Sequence, residues 1–122
     1  MTTSRRGLAI VAIFLLSFAA LAAEDSVTRF HLVGDAGNVT DCKALDSALS
    51  LPHTVSVKNG DVEITSAGGI EGRMAEIRPG VYRVAFELAG IRLDVVADLS
   101  TPRRTLSVAD RELGCKWHAT PE

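Results

Sequence analysis

Asn59-Gly60 sits between two runs, Thr54 to Lys58 and Asp61 to Thr65, in which apolar and polar residues alternate. Both residues accept positive φ, so the pair suits a two-residue type I′ turn, whose twist matches that of the flanking strands. The turn sets a register: Val57 falls opposite Val62 and Val55 opposite Ile64, all on one face. Lys58 then faces Asp61 as a cross-strand pair of opposite charge. Pattern, turn chemistry and charge all specify an antiparallel hairpin with one apolar face.

A second hairpin follows the same logic. Tyr82, Val84, Phe86 and Leu88 alternate with polar or small residues, as do Ile91, Leu93 and Val95. Folding about Ala89-Gly90 sets Leu88 against Ile91, Phe86 against Leu93 and Val84 against Val95, with Glu87 meeting Arg92 on the wet face. Ala89 tolerates positive φ poorly, which leaves a four-residue loop open as the alternative to a two-residue one. Weaker strands are expected at Val27 to Val33, at Ile70 to Ile77 (interrupted by Gly72 and ended by the turn dipeptide Pro79-Gly80), and as a last hairpin, Thr105 to Ala109 with Gly114 to His118. In that hairpin Leu106, Val108, Cys115 and Trp117 point inward.

Only one stretch departs from period two. Val39, Cys42, Leu45, Ala48 and Leu49 fall near helical spacing, with Asn38 or Thr40 as candidate caps and Leu51-Pro52 as the stop. The expected fold is mainly β: an antiparallel meander of about seven or eight short strands forming a small barrel or half-barrel, with one short helix near residues 39–50. An open α+β sheet with the helix on one face is the alternative.

The start of the chain is of another kind. Arg5-Arg6 precede an uncharged run from Gly7 to Ala23, which ends in Ala20-Leu21-Ala22 before Glu24-Asp25. Basic, apolar and small-residue segments in that order make a secretory signal. Residues 1–22 are therefore expected to be cleaved, leaving residues 23–122 as a single β-rich domain. An uncleaved anchor is the competing reading, since the run is just long enough to cross ~30 Å of hydrocarbon at about 1.5 Å per residue. Arg5-Arg6 also suits twin-arginine export, so the route stays open between that and general secretion. No cysteine follows the run, which excludes a lipoprotein anchor. The domain is expected outside the cytoplasm: periplasmic in a Gram-negative bacterium, otherwise secreted.

Compartment decides how Cys42 and Cys115 are read. As the only two cysteines of an exported chain they are expected to form one disulfide. A bridge closing a loop of about 74 residues contributes roughly 4 kcal/mol in the chain-entropy model. A reactive thiol pair is the sharper alternative, and no C-x-x-C supports it.

Charge and motifs mainly exclude. All 15 acidic residues but only 11 of the 13 basic ones lie beyond residue 22, a net charge of −4 for the mature part. Nucleic-acid binders gather Lys and Arg on one face, and anionic membranes attract basic patches, so neither partner is expected. His31, His53 and His118 share no metal-ligand spacing and read as exposed strand histidines; no metal or cofactor is expected. G-x-S-x-G, S-x-x-K, G-x-G-x-x-G and the P-loop are missing. Asp94 and Asp98 lie about 13 Å apart along one strand face, too far for a carboxylate pair. Gly68-Gly69 reads as a bulge or turn. Arg73, Arg78, Arg83, Arg92 and Arg103-Arg104 read as mixed-charge surface, with an anion-binding face as the alternative. Asn38-Val39-Thr40 matches the glycosylation sequon.

With no catalytic constellation, no residue is assigned a catalytic role and an enzyme is not expected. The expectation is an exported binding or interaction module of the envelope or extracellular space, an inhibitor or accessory subunit with a protein or small-molecule partner. A small-molecule carrier using the barrel interior is the alternative, although eight short strands leave an interior that side chains fill.

Overall fold

Alternation carries through the computed structural model, which describes residues 24–67 and 70–122. Residues 1–23, with the signal segment expected there, and Gly68-Gly69 lie outside the described residues. Nine strands form one antiparallel sheet: β1 (Ser26–Phe30), β2 (Val33–Gly34), β3 (His53–Lys58), β4 (Asp61–Ser66), β5 (Glu71–Arg78), β6 (Val81–Leu88), β7 (Ile91–Asp98), β8 (Thr105–Asp110) and β9 (Lys116–Ala119). The order is β1-β3-β4-β5-β6-β7-β8-β9-β2, so consecutive pieces of one segment occupy both edges. The sheet thus curls into a half-barrel. The first strand anticipated from sequence is split because its two halves pair with different strands, Ser26–Phe30 with β3 and Val33–Gly34 with β9.

β5 is the corresponding corner on the other side. Glu71–Met74 pair with β4, and Ala75–Arg78 pair with β6 through a register shift around Ile77. Gly72 permits the bend: a Cβ there would lie 3.3 Å from the Phe86 ring. Both two-residue hairpins have the register read from sequence. Asn59 and Ala89 share φ 52°, and Gly60 and Gly90 follow at 82° and 80°. The Ala89 turn therefore has two residues, not four.

The helix begins later than anticipated. Thr40–Cys42 form a 3-10 turn and α1 spans Lys43–Leu49, with no side-chain cap on either. The expected cap is occupied elsewhere: Asn38 Nδ2 donates to the Lys116 carbonyl (2.8 Å), and its Oδ1 accepts from the Lys116 N–H (2.9 Å). An amide side chain here pairs with β9 as a strand residue would. Val39 precedes the turn in extended backbone and is exposed, off the apolar stripe.

Cys42, Leu45 and Leu49 carry the buried face of this segment against the sheet. Inside the curl, Phe30, Leu32, Ile64, Leu93, Leu106 and Trp117 are buried together with them. Each such side chain contributes roughly 1.5–3 kcal/mol by leaving water. The interior of the half-barrel is filled with side chains.

Candidate functional site

With the interior packed mainly by apolar side chains, most of the charged groups lie on the outer face. The clearest concentration lies on β6, β7 and the start of the β8–β9 loop. Asp94 points outward from β7 between two alanines, Ala85 on β6 and Ala109 on β8. Such small neighbours leave a furrow with a carboxylate on its floor.

Two arginines reach that carboxylate diagonally across the sheet. Arg83 Nη2 donates to Asp94 Oδ1, and Arg111 Nε donates to Oδ2 at 3.0 Å. The Asp94 side chain is 16% exposed, against 40% for Arg83 and 81% for Arg111. Partial burial by itself would raise the Asp94 pKa; hydrogen bonding and charge from Arg83, then from Arg111, outweigh it and hold the carboxyl below its usual range. Asp94 is thus an ionised anchor that fixes two guanidinium groups. A carboxylate held this low is a weak general base.

Arg83, Arg92, Asp94, Arg111 and Glu112 line a pocket of about 300 Å³. A second, of about 430 Å³, adjoins it through Arg92 and Glu112 and extends past Ala85, Phe86 and Glu87 to Gly90 at the hairpin tip. Together they form one furrow. Arg92 faces Glu87 in the register, as the sequence implied, yet its guanidinium forms no ion pair among the described residues.

The other arginines singled out from sequence do not join this group. Arg73 pairs with Asp61 at 2.7 Å, taking the carboxylate that the register sets opposite Lys58. Arg104 donates to Ser26 Oγ (3.1 Å) and Thr28 Oγ1 (2.5 Å), tying the loop before β8 to β1. Asp98 is occupied separately: the hydroxyl and then the backbone N–H of Ser100 lower its pKa. Arg111 and Glu112 escaped notice because they follow β8, and only the β7–β8 register shows that position 111 returns to the Asp94 face.

The histidines divide. His31 and His118 are exposed on the outer face, as alternation implied. His53 is not, which corrects the reading of all three as exposed: it shares the inward phase of Val55 and Val57 and is fully buried. Its Nδ1 lies 2.6 Å from the Leu51 carbonyl and donates to it, while Nε2 is buried without a partner. Burial lowers its pKa; the Leu51 bond opposes this and His31 adds to the lowering. Among the described residues no three His, Cys, Asp or Glu side chains are grouped as metal ligands.

Cys42 and Cys115 form the disulfide, Cα–Cα 5.7 Å, with both residues buried. Among the described residues no helix is long and apolar enough to cross a membrane. The Asn38 sequon is committed to structure, because its amide nitrogen is the donor to Lys116. No family model, curated protein or solved structure matches the chain.

Proposed function

We propose that this chain is an exported binding module that meets its partner through the Arg83–Asp94–Arg111 furrow, as an inhibitor or accessory subunit outside the cytoplasm. One observation carries the reading: Asp94 fixes two arginines, Arg83 and Arg111, beside a third, Arg92, that forms no ion pair among the described residues. Guanidinium groups held in place lose less side-chain entropy when a partner docks, which favours binding. The packed interior supports an outer-surface site over a carrier chamber. Neither His53, which is enclosed, nor Asp94, which is held ionised, suggests acid–base catalysis. Export rests on the signal pattern of residues 1–22 and agrees with the buried disulfide.

The test is site-directed photo-crosslinking in the extracytoplasmic fraction. A photoreactive residue at Ala85, on the furrow wall, should give a discrete crosslinked product. The same residue at Glu63, on the outer face of β4, should not. No product from Ala85, or equal products from both positions, contradicts the proposal.

A further inference from the structure

Resting on the furrow as the binding site, we infer that its partner is a protein segment presenting carboxylate side chains, not a phosphate-bearing ligand or polyanion. The argument starts from unspent donors. Asp94 uses Nη2 of Arg83 and Nε of Arg111, leaving the other guanidinium N–H groups of both, and all of those of Arg92, for a ligand. Guanidinium forks match planar oxygen pairs, so the complement is a carboxylate or a phosphate.

The rest of the furrow selects between them. Glu112 lines both of its parts and Glu87 lines one, beside three arginines and Asp94. Full charges therefore balance, three against three, and the surface has no excess field to hold a dianion or a phosphodiester tract. Phosphate-backbone binding needs a continuous basic face. Singly charged carboxylates, each set against one arginine and spaced to avoid the two glutamates, meet no such penalty. A polypeptide supplies them at side-chain spacing, and its own basic residues complement Glu87 and Glu112. Arg92 and Arg111 are the recognition residues. Asp94 is a positioning residue that acts through Arg83 and Arg111.

The hairpin tip adds a second observation. Ala89 holds φ 52° beside the end of the furrow, whereas the matching turn at Asn59-Gly60 uses asparagine. Backbone held in this region without glycine or asparagine is found preferentially at functional sites.

The test follows the arginine Nε–H signals of the exported, isotope-labelled protein by NMR. The probes are a short peptide carrying two glutamates, its glutamine counterpart, inorganic phosphate and a single-stranded oligonucleotide. The glutamate peptide should shift the Arg92 and Arg111 signals saturably, the glutamine peptide should not, and added salt should weaken the effect. Arg92→Ala should weaken binding about tenfold with an unchanged melting temperature. Asp94→Asn should broaden the Arg83 and Arg111 signals in the free protein and weaken binding without removing it. If phosphate or the oligonucleotide shifts these signals as strongly, the furrow stands and the partner class is overturned. If every probe leaves them unmoved, the inference and the furrow reading both fall.

Discussion

Trp117 Nε1 donates a 2.8 Å hydrogen bond to Asp46 Oδ1, joining β9 to α1 two residues beyond the Cys115–Cys42 bridge. With the Asn38 amide paired to Lys116, three fasteners hold the helical segment to one strand. The disulfide is the largest of them, and reduction should lower stability by roughly 2–5 kcal/mol, a large share of the ~5–15 kcal/mol typical of a domain. Urea melts with and without reductant measure this. A strong chelator should leave the melt unchanged; a chelator effect exceeding that of reductant would point to a metal instead.

The indole bond is separable from the disulfide. Asp46→Ala leaves the buried indole N–H without its acceptor and should cost about 1–3 kcal/mol. Asp46→Asn keeps an oxygen in place and should cost less. Equal losses in the two variants would mean that the carboxylate matters for something other than accepting from Trp117.

Asn59 and Ala89 allow a matched test of backbone strain. Both sit at φ 52°, where alanine is disfavoured and asparagine is tolerated. Ala89→Asn should stabilise the protein by about 0.5–1 kcal/mol. Gly60→Val, at φ 82°, should cost about 1 kcal/mol or more. Ser56→Ala should cost under about 0.5 kcal/mol. Chemical denaturation of the three variants ranks them, and a destabilised Ala89→Asn would contradict the strain at that turn.

His53 supplies a pH dependence. Because burial lowers its folded-state pKa, the fold favours the neutral ring. That contribution is complete above the unfolded value of about 6.5 and is lost as pH falls from there toward the folded-state value. Stability should therefore decline from pH 7 toward pH 5, and His53→Phe should flatten the decline. An unchanged slope in His53→Phe would place the titrating group elsewhere.

Local rules made most of the architecture legible. Asn59-Gly60 fixed one register outright, and the Leu88–Ile91 pairing fixed another despite the unfavourable alanine. The misses were tertiary. Asn38 looks like a helix cap until Lys116 is seen beside it, and Phe30 and Val33 read as one strand until their partners differ. Reading His53 as surface overlooked its phase with Val55 and Val57. The furrow was half visible: Arg83, Arg92 and Asp94 alternate outward on neighbouring strands. Its other half, Arg111, depends on a register that no turn signal in the sequence sets.

Export and the disulfide are tested together by one intact-mass measurement on protein from the extracytoplasmic fraction. The expected chain begins at or near Ala23 and is lighter than its reduced form by the two hydrogens of a single disulfide. A full-length chain beginning at Met1 or Thr2, recovered with both thiols free, would contradict both.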